Sequence, residues 1–158
     1  MGEGGSGNTV IISFSYTTPA LLAGAKTVTR REWKYNHARR FNEIKAHDEI
    51  IQAWDKSPRF GGQHIADIQL TEDLRWASIF SMPASDYQAE GFEWLCNHRD
   101  TVDTKKFGRF AWDDFQTWRD SRRGYWVVRF KLVNIRESLG HWLERRQREK
   151  GSETGHAG

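Results

Sequence analysis

The run Gly24-Ala25-Lys26-Thr27-Val28-Thr29-Arg30-Arg31 concentrates more reactive side chains than any other stretch of the 158-residue chain. Residues two apart on an extended strand face the same side. Thr27, Thr29 and Arg31 therefore share one face, and Val28 and Arg30 share the other. Lys26 lies at the turn before this strand, where its flexible stem can swing toward the Thr29 hydroxyl. A lysine near a threonine can activate it as a nucleophile, or can neutralise an oxyanion or a phosphate. The same run also reads as a solvated basic strand that supports a loop, because a K-x-x-T spacing alone carries little specificity.

Other residues qualify more weakly. Trp54, Asp55, Ser57 and Arg59 stand where a strand gives way to a Pro-Gly loop. There a tryptophan can offer a stacking face and the aspartate an acceptor to a base; the other reading has Trp54 filling the interior and Asp55 capping the turn. Glu90, just before Gly91, reads on its own as a surface glutamate. Arg39, Arg40, Lys45, Arg119, Arg122 and Arg123 suggest a basic rim or a solvated surface. The six histidines include no H-x-x-x-H pair, and the single cysteine, Cys96, excludes an intrachain disulfide and any multi-cysteine zinc site. No metal and no cofactor are expected.

The elements that must position these residues follow from pattern. Strands are predicted over 10–14, 49–54, 64–70 and 125–133, the last with the strongest alternation. Thr27–Trp33 suits an extended segment. A short helix is predicted at 20–23, with Thr18 as N-cap, Pro19 at its first position and Gly24 as its stop. Further helices are predicted at 36–46, 83–95, 112–119 and 139–150, and 97–110 reads as irregular. Residues 1–8 read as a flexible arm, 9–150 as one domain, and 151–158 as a flexible tail. The composition, 37 % hydrophobic and 28 % charged with a net charge of +3, suits a soluble protein that buries its own core. Eight tryptophans allow for both a core and a stacking pocket. With no apolar run of about 18 residues and no signal-peptide pattern, a cytoplasmic location without membrane contact is expected. Strands scattered among short helices lack the rhythm of a doubly wound sheet. The expected fold is α+β, a small, mainly antiparallel β-barrel with short helices at its rim.

Gly24 to Arg31, preceded by Pro19-Ala20-Leu21-Leu22-Ala23, resembles the signature of the ASCH superfamily. Ile12-Ser13-Phe14-Ser15, the block Asp48 to Pro58, Gly62-Gln63-His64-Ile65-Ala66 and Ala89-Glu90-Gly91-Phe92 extend the resemblance across roughly Val10 to Leu95. It implies a PUA-like barrel and RNA-binding or nucleotide-handling roles. One branch comprises small amidohydrolases that deacylate N(4)-acetylcytidine with a lysine, a threonine three residues later and a downstream glutamate. Lys26, Thr29 and Glu90 match these, and Arg31 matches a supporting arginine. The resemblance thus implies an amidohydrolase of N(4)-acylated cytosine compounds, with Trp54, Asp55, Ser57 and Arg59 as further candidates for holding the nucleoside. A non-catalytic RNA-binding module and a ribonuclease are the alternatives. The chain departs from the minimal enzymes in its inserts at 35–47 and 97–121. It also carries Arg30-Arg31 where an apolar residue and an arginine are usual.

Overall fold

In the computed structural model, which describes residues 9–102 and 111–157, six strands form one mixed sheet. They are β1 (Ile11–Ser13), β2 (Val28–Arg31), β3 (Ile51–Trp54), β4 (His64–Leu70), β5 (Arg75–Ser78) and β6 (Gly124–Ile135). Alternation sets β6 apart: Tyr125, Val127, Val128 and Phe130 are buried, and its twelve residues serve three partners. Along β6 pair β2, β4 and β5, all antiparallel. Strand β4 also pairs antiparallel with β3.

The remaining ladder, β1 on β3, is parallel, so the sheet is mixed. The chain leaves β1, passes through two helices and β2, and returns as β3. A connection that long is what a parallel pair requires. Register shifts at Ala53/Trp54 and Asp67/Ile68 bend the sheet. It curls into a half-barrel with β1 and β2 as its edges, and the Arg31 Nη2 donates to the Ser13 carbonyl at 2.8 Å, tying one edge to the other.

The helices are α1 (Thr18–Leu22), α2 (Tyr35–Ala46), α3 (Asp86–Ala89), α4 (Phe92–Asn97), α5 (Trp112–Asp120) and α6 (Leu139–Ala157). The cap of α1 is Thr17 rather than Thr18, and neither hydroxyl caps a helix N–H. They bond instead to the Phe14 and Ser15 carbonyls of the preceding 3₁₀ turn. The single helix predicted over 83–95 is two helices. Gly91 interrupts it at φ +87, a left-handed conformation that breaks the ladder between α3 and α4. The helix predicted to end at 150 continues to Ala157. Of the segment predicted to be irregular, 103–110 lies outside the described residues, as do residues 1–8.

Two apolar clusters result. One fills the curl of the sheet, with Phe14, Leu21, Phe41, Ile51, Ile68 and Trp142 among its members. The other lies beneath α3, α4 and α5 and includes Ala20, Tyr87, Phe92, Leu95 and Phe115.

Candidate functional site

The two clusters meet at a cavity of about 400 Å³. Phe14 reaches it from the first, Phe92 and Phe115 from the second. Its polar floor holds Lys26, Thr29, Arg31 and Glu90, so the four residues singled out from the sequence converge there. Lys26, Thr29 and Glu90 are 3 %, 4 % and 2 % exposed, which is unusual for such polar groups and demands hydrogen-bond partners.

Backbone contacts place them. The Thr27 N–H donates to the Ala89 carbonyl at 2.7 Å and the Phe130 N–H to the Thr27 carbonyl at 3.0 Å. The start of β2 is thereby clamped between the end of α3 and β6. Lys26 and Glu90, 64 residues apart in sequence, become neighbours. The Lys26 Nζ donates to the Glu90 carboxylate at 3.1 Å and to the Glu90 backbone carbonyl at 2.9 Å, closing the C-terminal end of α3. Gly91 makes this approach possible, because a Cβ there would stand 2.6 Å from the Ala20 Cβ and 3.3 Å from that of Lys26.

Thr29 is held differently. Its Oγ1 accepts from the Arg31 Nε at 3.1 Å, as expected for residues two apart on one face. It makes no hydrogen bond to Lys26, whose Nζ bonds twice to Glu90. With a guanidinium against its oxygen, a Thr29 alkoxide would be stabilised where it forms.

Burial dominates the electrostatics. It holds the Lys26 ammonium below the usual lysine range; the Glu90 carboxylate opposes this without reversing it, and the Arg31 and Arg30 charges add to the depression. Burial likewise lowers Arg31, against the pull of Glu90 and Tyr16. Three cations, Lys26, Arg30 and Arg31, line the cavity with two carboxylates, Glu90 and the exposed Asp114. With Lys26 neutral these charges balance, and Arg31, whose guanidinium lies against Thr29, is the cation placed to meet negative charge developing on a carbonyl or phosphoryl oxygen.

The other candidates lie elsewhere. Trp54 stacks on His64 with ring centroids 5.9 Å apart and donates to the Gln52 side chain. Asp55 accepts from the Gln63 N–H, the Trp142 Nε1 and the Arg145 guanidinium, closing the 55–63 loop and docking α6. Its carboxyl is held below the ordinary value: burial pushes it up, and these hydrogen bonds outweigh that push. It borders a second cavity together with Lys56 and Trp142. Neither Ser57 nor Arg59 lines the cavity that holds Lys26; Arg59 lies over the Phe60 ring. The two inserts diverge in role. The first forms α2, which packs Ala38, Phe41 and Ile44 into the sheet core, whereas the second supplies Asp114, Phe115 and Trp118 to the cavity wall. Among the described residues no group of three or more histidine, cysteine, aspartate or glutamate side chains is placed to hold a metal. Among them, too, no helix is long and apolar enough to cross a membrane.

No family model and no curated protein matches the sequence. Among solved structures, a crystal structure of a protein from Enterococcus faecalis V583, described under the family model DUF984, aligns with a TM-score of 0.42. That alignment has 17 % identity and covers 80 % of this chain and 77 % of the other.

Sequence reasoning missed Arg30 and Asp86. Alternation assigned Arg30 to the face opposite Thr29, yet its guanidinium donates to Glu90 at 2.8 Å and to Asp86 at 2.6 Å. Both carboxylates lie on the Arg30 face of β2: Arg129, which pairs opposite Val28 on that face, also binds Asp86. Asp86 in turn accepts two hydrogen bonds from Arg129. A signal existed: Asp86 and Glu90 are four residues apart, which puts both carboxylates on one face of a helical turn.

Proposed function

We propose that the protein is an amidohydrolase that removes the acyl group from N(4)-acylated cytidine or cytosine compounds, on a PUA-like fold of the ASCH type. One observation carries this reading. Glu90, distant in sequence, is folded onto Lys26 inside a cavity that Thr29 also lines. That arrangement supplies a nucleophile, a base and a proton carrier to one reacting centre. The cavity volume falls in the range that takes small ligands, and Phe92, Phe115 and Trp118 offer aromatic surface to a flat base.

In this mechanism neutral Lys26 takes the Thr29 proton as Thr29 Oγ1 attacks the acyl carbonyl carbon. The Arg31 guanidinium stabilises the developing negative charge. The tetrahedral adduct then breaks its carbon–nitrogen bond, and the Lys26–Glu90 pair delivers the proton to the departing cytosine amine. Water, deprotonated by the same pair, then attacks the acyl-threonine ester; the bond to Thr29 Oγ1 breaks, the pair returns the proton to that oxygen, and the acyl group leaves as a carboxylic acid. A variant route is favoured by Lys26 bonding to Glu90 rather than to Thr29: the pair activates a water directly, and Thr29 with Arg31 holds the carbonyl oxygen.

The test is incubation of purified protein with N(4)-acetylcytidine, following the absorbance change and chromatographing the products. Release of cytidine and acetate is expected. Absence of turnover across several acyl-cytosine substrates removes the proposal and leaves a nucleotide-binding role for the basic floor.

A further inference from the structure

We infer that Arg30 is the positioning residue of this site, holding the Glu90 carboxylate so that one oxygen faces Lys26 and the other is occupied. The inference rests on the amidohydrolase reading for its kinetic arm alone. The Glu90 Oε1 lies 3.1 Å from the Lys26 Nζ and the Oε2 lies 2.8 Å from the Arg30 Nη1. The other terminal nitrogen of Arg30 lies 2.6 Å from Asp86, whose carboxylate is gripped by Arg129. The Arg30 and Asp86 side chains are almost wholly buried. A planar guanidinium bridging two carboxylates one helical turn apart fixes both in orientation, which a single point charge does not do.

This arrangement divides two roles. Geometrically, Arg30 keeps Glu90 from rotating away from Lys26. Electrostatically, it puts a second cation on the carboxylate that would otherwise serve the lysine alone. The Arg30 charge also bears directly on the Lys26 ammonium and favours loss of its proton. Removing the charge therefore makes Lys26 harder to deprotonate, and any reaction that needs the neutral amine shifts to higher pH. Arg30 borders the cavity, but both its terminal nitrogens are held by Glu90 and Asp86, and the role assigned to it is exerted through Glu90.

Three substitutions separate these roles. Arg30→Leu and Arg30→Gln remove charge and fork together, whereas Arg30→Lys keeps the charge and loses the fork. The kinetic arm measures kcat, KM and the pH–rate profile for N(4)-acetylcytidine on variants shown to be folded by circular dichroism. Arg30→Leu and Arg30→Gln are expected to lower kcat roughly ten-fold or more, with KM changed less than kcat. Their rising limb should move to higher pH. Arg30→Lys is expected to lower kcat while leaving the limb in place. A wild-type kcat and an unmoved limb in a folded charge-removing variant overturn the inference; if neither folds, wild-type kcat in Arg30→Lys does so. A second arm does not depend on turnover: lysine labelled at the ε-carbon with ¹³C, with the Lys26 signal assigned by its loss in Lys26→Met, is titrated by NMR. The Lys26 titration should move to higher pH in Arg30→Gln. If wild type hydrolyses nothing, the amidohydrolase reading fails alone and this titration decides the role of Arg30; an unmoved titration overturns it.

Discussion

Thr29 and Lys26 occupy the same cavity, but their removal has different consequences. Thr29→Ala deletes a hydroxyl whose oxygen accepts from Arg31 and leaves little empty space behind. Under the covalent route kcat should fall by roughly three orders of magnitude, with the fold retained. Thr29→Ser should keep part of the activity because the hydroxyl survives. Under the water route Thr29→Ala should lose much less, so steady-state kinetics of these two variants separates the routes. Lys26→Ala abolishes turnover on either route. Groups acting as a unit are not additive, so the covalent route also requires the double variant to be scarcely slower than the slower single one. Glu90→Gln keeps shape and a hydrogen-bond acceptor but cannot carry a proton, so kcat should fall more than KM rises. For the wild type, kcat/KM should rise with pH as Lys26 loses its proton, with a midpoint below the ordinary lysine range because burial favours the neutral amine.

At the scale of elements, the break at Gly91 decides whether these residues meet. Continuous helix over 83–95 would carry Phe92 onward from α3; the left-handed glycine turns the chain, and α3 ends with Glu90 against Lys26. Gly91→Ala meets two obstacles, a positive φ and a Cβ clash with Ala20. It should lower stability by roughly 1–3 kcal/mol from backbone strain alone, measured by urea unfolding, and should depress activity further by displacing Glu90. The sequence made the elements legible because periodicity and turn residues are local. It predicted β6 from its alternation and β4 as His64–Leu70, as observed, though it allowed β4 to run on toward Trp76, where a separate strand, β5, stands. The shared face of Thr29 and Arg31 was legible for the same reason. The break at Gly91 was not, since a glycine followed by apolar residues at helical spacing fits a continuous helix equally well. The parallel β1–β3 ladder and the Arg30–Asp86 contact were hidden too. The first depends on the strand order of the whole sheet, the second on where α3 settles against β2 and β6. Trp54-Asp55-Ser57-Arg59 suggested a ligand loop, yet its aspartate is satisfied by Trp142 and Arg145 from α6, nearly ninety positions away. Short-range pattern carries no information about that partner.

At the scale of the whole molecule, two buried carboxylates knit distant parts of the chain. Asp55 joins the end of β3 to α6 through Trp142 and Arg145, and Arg145 also grips Glu137. Asp86 joins α3 to β2 through Arg30 and to β6 through Arg129. Burial pushes both carboxyls up, but hydrogen bonds from these guanidinium groups outweigh it, and both sit below the ordinary aspartate value. The sign of the pH effect follows. A carboxyl whose folded value is depressed contributes stability that is fully present above its unfolded value, about 3.9. That contribution is lost as pH falls through the folded value, because the proton then binds the unfolded chain more tightly. Unfolding free energy should therefore decline below about pH 4, and urea titrations at a series of pH values will measure the slope. Asp86→Asn takes one carboxylate from Arg30 and Arg129, which keep Glu90 and Glu72, and should cost roughly 1.5–3 kcal/mol at neutral pH. It should also flatten the acid slope, since one of the titrating groups is gone. Asp55→Asn should do the same, since Arg145 likewise retains Glu137. The two aspartates share no partner, so their effects should add within about 0.5 kcal/mol. A double variant whose acid slope equals that of the wild type would show that other carboxylates govern the acid transition.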